Sequence, residues 1–190
     1  VIHEQTAVLG RANRRLARGA KAFALSFAQT QRLKSAGHAR ATVVGNPVRQ
    51  DIAALAARPY TPPSGVIDLL IVGGSQGAQV FSKIAPAAFK SLTAPQRARF
   101  RLAQQCRAED IDEVRAVYAA LNMPVELETF FDDMPSRLAA AHLVVGRAGA
   151  STVSELTAAG RPALYVPYPH AIDDHQMANA RAVEAAGAGW

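Results

Sequence analysis

Apolar runs of strand length alternate with amphipathic stretches through most of this chain, and that alternation predicts an α/β fold. Strands are expected at 66–72, 100–105, 125–131, 142–146 and 163–167. Helices are expected between and after them, at 78–91, 109–121, 134–140, 151–159 and 174–186. Short apolar strands separated by helices imply a mainly parallel sheet covered on both faces. The beginning of the chain is less regular. A helix is expected after His3-Glu4-Gln5-Thr6, running to about Arg18, with strands over Ala22–Phe27 and Thr42–Val44 and a helix over Ile52–Ala57. The Pro-rich run Arg58-Pro59-Tyr60-Thr61-Pro62-Pro63-Ser64-Gly65 has the composition of a linker, which divides the chain into residues 1–60 and 61–190.

Two strand-to-helix turns are rich in glycine. Gly146-Arg147-Ala148-Gly149-Ala150-Ser151-Thr152-Val153-Ser154-Glu155 follows an apolar run and opens a helix. Such a turn aims unpaired backbone N–H groups and the positive end of a helix dipole at one point, which suits a phosphate. Glu155, one turn into the helix, is placed to accept hydrogen bonds from sugar hydroxyls, so the segment suggests a nucleotide-sugar site. Gly73-Gly74-Ser75-Gln76-Gly77-Ala78 is the second turn, with Ser75 adding a hydroxyl donor. It has neither the Lys-Ser/Thr ending of a P-loop nor the spacing of the dinucleotide fingerprint. Either turn taken singly is as readily a plain connection; two at strand ends of one sheet favour a ligand.

Composition narrows the setting. The 190 residues are 49% hydrophobic and 6% aromatic, enough for a sizeable core, and the single cysteine, Cys106, excludes an internal disulfide framework. No stretch approaches the roughly 20 apolar residues of a membrane span. The net charge is +6, and Arg11, Arg14, Arg15 and Arg18 fall on one face of a helix whose other face carries Leu9, Ala12 and Leu16. That face suits an anionic membrane surface or plain solvent. Nucleic acid is not expected, because no nucleic-acid-binding motif or aromatic interleaving accompanies the charge. The chain opens on Val1 at the end of a strand and closes on Trp190 at the start of one, as a fragment would.

Other residues offer chemistry with plainer alternatives beside it. Arg49 follows a proline and can meet a phosphate or base, or serve as a surface arginine. Phe131 can wall a base slot with its backbone reading the base edge, and Asp133 reads as a helix N-cap. Gln176 and Asn179 share a helical face and can hold a hydroxylated ligand. His170, Asp173, Asp174 and His175 invite a metal reading, but capping and sugar contacts fit them better. His3 and Glu4 form a candidate acid/base pair, although neighbours in sequence rarely face each other.

The motifs His3-Glu4-Gln5-Thr6, Gly45-Asn46-Pro47-Val48-Arg49, Gly73 to Ala78, Phe131-Asp132-Asp133-Met134, Arg147 to Glu155, Pro167-Tyr168-Pro169-His170 and Asp174-His175-Gln176 to Asn179 occur in one order. Together they closely resemble the MurG family of peptidoglycan N-acetylglucosaminyltransferases over essentially the whole chain. The resemblance implies a GT-B fold, with two Rossmann-like domains facing across a cleft. Residues 1–60 would be the last part of the acceptor domain and the interdomain connection, and 61–190 the donor domain, truncated at its C-terminal end. The implied donor is UDP-N-acetylglucosamine and the implied acceptor is lipid I, an undecaprenyl-diphosphate-linked muramyl pentapeptide. The product would be lipid II, formed with inversion at the cytoplasmic face of the bacterial cell membrane. No cofactor and no metal are implied.

Carried over by position, Phe131 would meet uracil through its backbone and Glu155 would hold the ribose. Ser75, Arg49 and the amides of Ala150, Ser151, Thr152, Val153 and Ser154 would serve the diphosphate, and Gln176 and residue 6 the N-acetylglucosamine ring. The family usually has Asn where this chain has Thr6, a shorter side chain without the amide pair. The family's acceptor loops and base lie in its first part, so this chain is expected to bind donor without completing transfer. Other GT-B UDP-sugar transferases and UDP-N-acetylglucosamine 2-epimerases share the sheet and the diphosphate turn, but the His-Glu-Gln and Gly-Asn-Pro-Val-Arg motifs favour the transferase. A noncatalytic nucleotide-sugar-binding subunit is the alternative of a different class.

Overall fold

The computed structural model describes residues 1–74 and 79–190. Two parallel sheets organise them. The smaller joins β1 (Ile2–Glu4), β2 (Phe23–Leu25) and β3 (Ala41–Val43) in the order β1-β2-β3. The helices of this part are α1 (Arg11–Leu16), continued by a 3-10 turn at Ala17–Gly19, and α2 (Ser35–His38). After β3 come α3 (Gln50–Ala53) and a 3-10 turn (Ala54–Ala57), whose Ile52 and Leu55 are buried in the core of the larger sheet. Residues 58–66 are exposed throughout.

The larger sheet contains β4 (Ile67–Val72), β5 (Phe100–Gln105), β6 (Val125–Glu128), β7 (Leu143–Gly146) and β8 (Ala163–Tyr165). Its order, β6-β5-β4-β7-β8, is parallel throughout. The helices are α4 (Gln79–Ser91), α5 (Ala94–Arg97), α6 (Ile111–Ala120), α7 (Met134–Ala140), α8 (Ala150–Ala158) and α9 (His175–Ala185). Side-chain alternation along β4 sorts them into two layers. Leu69 and Ile71 point to one face and pack with Phe81 of α4 and with Val114 and Tyr118 of α6. Leu70 and Val72 point to the other and pack with Leu138 of α7, Val153 and Leu156 of α8, and Val183 of α9. The doubly covered parallel sheet expected from the alternation is therefore present.

Differences from expectation concentrate in the first part. The helix expected directly after Thr6 begins only at Arg11. Residues 7–9 stay outside the helix instead, with Val8 bridged to Gln31 and Ala7, Val8 and Leu9 buried. Leu9 thus lies outside the helix, Leu16 is 62% exposed, and no residue of α1 is buried. The apolar helix face read from Leu9, Ala12 and Leu16 does not form, because the tertiary burial of Ala7 to Leu9 overrides a 3.6-residue pattern. The strand expected to reach residue 131 ends at Glu128, freeing 129–133 as a loop.

The two parts meet through side chains of α9 and the loop before it. Ala7 and Val8 pack on Ala178, and Phe27 joins them. Asp173, with φ of 58°, receives Arg14 at 2.7 Å and Arg32 at 2.5 Å, with Arg11 at 3.8 Å. The Arg14 hydrogen bond, against a smaller opposing effect of burial, holds the Asp173 carboxyl below its usual range, with Arg32 adding to it. No helix among the described residues is long and apolar enough to cross a membrane.

Candidate functional site

The strand order of the larger sheet reverses between β4 and β7, since β5 and β6 extend to one side and β8 to the other. At such a switch point the loops after the two strands diverge and leave a crevice beyond their carboxyl ends. Both glycine turns begin there. Gly74, at φ 81°, adopts a backbone conformation that other residues rarely take. At Gly146 an added Cβ would meet Val72 Cγ2 at 3.1 Å and the Val72 carbonyl at 3.4 Å, so the turn after β7 lies hard against β4. Ser75 lies outside the described residues.

Two clefts share Gly74, Ser151 and Thr152. The narrower, about 500 Å³, is lined by Arg49, Gln105, Phe130, Phe131, Asp132 and Glu155 among others. The wider, about 1290 Å³, is lined by Gln5, Thr6, Arg147, His170, His175 and Gln176 among others. A third cleft, about 970 Å³, opens at Val66, Phe100 and Pro124, the amino ends of β4, β5 and β6. That is the wrong end of a parallel sheet for the ligand of an α/β crevice.

The first turn of α8 forms the shared wall. Its N-cap is Gly149, and no side chain caps it. The N–H groups of Ala150, Ser151 and Thr152 therefore face the junction of the clefts without an intrahelical acceptor. Val153 and Ser154 stand behind them. The Val153 N–H is taken by Gly149 O at 2.9 Å and its side chain is buried, while the Ser154 hydroxyl donates to Ala150 O at 2.8 Å. Among the described residues, Ala150, Ser151 and Thr152 are thus the three of the five expected whose amides have no partner within the helix.

In the narrower cleft Arg49 Nε lies 3.4 Å from Glu155 Oε1, with the Arg49 side chain 53% exposed and that of Glu155 28%. Two residues expected at separate parts of a ligand are thus brought into contact. The Phe131 ring is buried in the core with the Arg137 guanidinium 4.0 Å from its centroid, so it does not wall the cleft as a free aromatic surface. Phe130 is 63% exposed and occupies that rim. Asp133 holds the N-cap position of α7, but its side chain pairs with Arg137 at 2.6 Å instead of capping.

In the wider cleft Gln176 Oε1 accepts the Tyr168 N–H at 2.9 Å, which leaves its NH₂ end as the donor for a ligand. The Thr6 hydroxyl lies 2.7 Å from Val8 O and 3.0 Å from Glu4 Oε1. Arg147 donates to Val166 O and Pro167 O and sits over the rings of Phe81 and Tyr168, fixing the loop that carries His170. Burial lowers its pKa from the usual arginine value.

Two sequence readings are corrected. Asn179 does not face a ligand with Gln176: it is fully buried, its Oδ1 accepts the Ala7 N–H at 2.8 Å and its Nδ2 donates to Ala148 O at 3.0 Å. His3 and Glu4 do not pair, because successive residues of β1 point to opposite faces. His3 Nε2 lies 3.1 Å from Gly45 O, whereas the Glu4 carboxylate accepts hydrogen bonds from Gly10, Asn13 and Thr6. Burial pushes the Glu4 carboxyl up, but those hydrogen bonds prevail and hold it below its ordinary value. Gln105 and Phe130 line the narrower cleft and Arg147 the wider one without being among the expected site residues; a Gln pair ending a strand is the available signal for the first.

Residues 68–190 match the model of the glycosyltransferase family 28 C-terminal domain. The whole chain is 54% identical to the UDP-N-acetylglucosamine–N-acetylmuramyl-(pentapeptide) pyrophosphoryl-undecaprenol N-acetylglucosamine transferase of Rhodospirillum centenum, covering 50% of that protein. It is 56% identical to the transferase of the same name from Granulibacter bethesdensis, again over the whole chain and 50% of the relative. The chain thus spans about half the length of the curated relatives it matches. The crystal structure of Acinetobacter baumannii MurG superposes with a TM-score of 0.77 at 34% identity, over 99% of this chain and 51% of that one.

Proposed function

Because the chain belongs to glycosyltransferase family 28, as its match to that family's C-terminal domain shows, we propose that it is the donor-binding portion of a transferase that moves N-acetylglucosamine from UDP-N-acetylglucosamine to lipid I. The product is lipid II, made with inversion. Residues 61–190 form the donor domain, and residues 1–60 the end of the acceptor domain with the interdomain connection. The observation that carries the reading is the pair of clefts meeting at the uncapped N-terminus of α8.

In this reading the uridine occupies the narrower cleft, the diphosphate rests on the amides of Ala150, Ser151 and Thr152, and the sugar extends into the wider cleft toward Gln176 and Thr6. Phe131 offers its backbone to the uracil edge, and Glu155 accepts from the ribose hydroxyls. Charge that grows on the leaving diphosphate is met by the helix dipole, about half an elementary charge at the N-terminus, and by Arg49. These groups are fixed before the reaction, so little reorganisation accompanies bond breaking. Ser75 belongs with the same diphosphate contacts.

Calorimetric titration tests the assignment. UDP-N-acetylglucosamine is expected to bind the folded chain more tightly than UDP-glucose, and ADP-glucose hardly at all. Equal binding of the uridine and adenine sugars would exclude a base-reading narrow cleft.

The acceptor is carried by a lipid, which calls for a membrane-facing surface, and we place the protein at the cytoplasmic face of the cell membrane. Arg15, Leu16 and Arg18 are exposed together at the end of α1, whereas Arg14 is committed to Asp173. Anionic vesicles are expected to sediment the chain, and the double variant Arg15→Glu/Arg18→Glu to reduce that fraction several-fold at low salt. Equal sedimentation of the variant would exclude this surface.

A further inference from the structure

β5 lies between β4 and β6 in the sheet and ends on two glutamines. Alternation sends them to opposite faces. Gln104 braces the helical layer: its Oε1 accepts the Tyr118 hydroxyl at 2.8 Å, and its Nε2 donates to Phe81 O at 3.2 Å. Gln105 is only 6% exposed and lines the narrower cleft. Its Oε1 accepts the Gly73 N–H at 3.1 Å, and its Nε2 donates to Thr129 O at 3.1 Å. Gly73 opens the glycine turn after β4, and Thr129 opens the loop that carries Phe130 to Asp133 after β6. One side chain therefore spans both loops that frame the cleft. Its orientation is fixed chemically, because a flipped amide would set NH₂ against N–H on one side and carbonyl against carbonyl on the other.

We propose that Gln105 is a positioning residue for nucleotide recognition, setting the distance between the glycine turn and the base-contacting loop. The proposal rests on the uridine assignment above. It touches no reacting atom; it acts by holding Gly73 and Thr129 where the diphosphate and the base edge require them. A misplaced loop weakens discrimination between bases more than it weakens the fold, because base reading depends on hydrogen-bond geometry within a few tenths of an ångström.

Two variants of similar volume divide the strut. Gln105→Glu keeps an acceptor for the Gly73 N–H but turns an oxygen toward Thr129 O, and Gln105→Met removes both bonds. Affinity for UDP and CDP would be measured by calorimetry on the full chain, with thermal midpoints alongside. UDP affinity is expected to fall about tenfold in Gln105→Glu and further in Gln105→Met. The preference for UDP over CDP is expected to shrink in both while the Gln105→Glu midpoint moves by only a few degrees. Wild-type affinity and base preference in Gln105→Glu would overturn the proposal even if Gln105→Met fails to fold. So would a lowered midpoint with the base preference intact, which marks a purely structural strut. A wild-type chain that binds no uridine nucleotide would instead sink the donor assignment, and this proposal with it.

Discussion

Replacing Asn179 with leucine is expected to destabilise the chain by about 3 kcal/mol, read as a lower urea midpoint at unchanged slope. Leucine has the same branched shape and the same number of heavy atoms, so the cost is not a cavity but two backbone groups left without partners. The Ala7 N–H loses its acceptor and the Ala148 carbonyl its donor, both beside a fully buried side chain. Each orphaned group costs about 1–3 kcal/mol. The location matters as much as the sum. Ala7 follows the Thr6 loop of the smaller sheet, and Ala148 lies in the glycine turn of the larger one, so this amide is a direct tie between the two parts. Hydrogen exchange at Ala7 is expected to quicken with the loss of stability. An unchanged midpoint would mean that water replaces both bonds, and that the packing of Ala7, Val8 and Ala178 together with the Asp173 ion pairs holds the parts together without this amide.

The regular half of the molecule is legible because its central strands β4 and β7 are almost wholly apolar, and the edge strands β6 and β8 carry apolar residues at their buried positions. The alternation of β4 to β8 with their helices could then be read from hydrophobicity alone, and the glycine turns followed as the places where that pattern breaks. The first part was less legible. Its strands are three residues long, and the buried run Ala7 to Leu9 is held by tertiary contacts, Ala7 and Val8 against Ala178 of α9, far away in sequence, and Leu9 in the core of the smaller sheet. Periodicity reports local structure, so it assigned those residues to a helix. Asn179 was misread for a related reason: its spacing from Gln176 places both on one helical face, but only the packing decides which member meets solvent. The pairing of Arg49 with Glu155 joins residues more than a hundred positions apart, and neither motif contains a hint of the other. Gln105 shows a subtler limit, since a polar residue at the end of a strand can be exposed, capping or structural with equal ease until its neighbours are known.

The Glu155→Ala variant is expected to bind UDP about 30-fold more weakly, a loss of about 2 kcal/mol, with almost no change in stability. The separation follows from where the carboxylate stands. Its only ion-pair partner among the described residues is Arg49, itself about half exposed, and such pairs contribute about 0–1 kcal/mol to folding. A ribose held by the same carboxylate would gain charge-assisted hydrogen bonds, which are stronger than neutral ones. Arg49→Ala supplies the complementary measurement. It leaves the Glu155 charge uncompensated near the diphosphate, so it is expected to weaken UDP through repulsion as well as through the lost cation. Removing both charges abolishes that repulsion, and the double variant should lose less affinity than the sum of the single losses, since residues in contact are rarely additive. Unchanged UDP affinity in Glu155→Ala would exclude the ribose role. Strict additivity would mean that Arg49 and Glu155 meet the ligand independently, and that their contact in the free chain is incidental to binding.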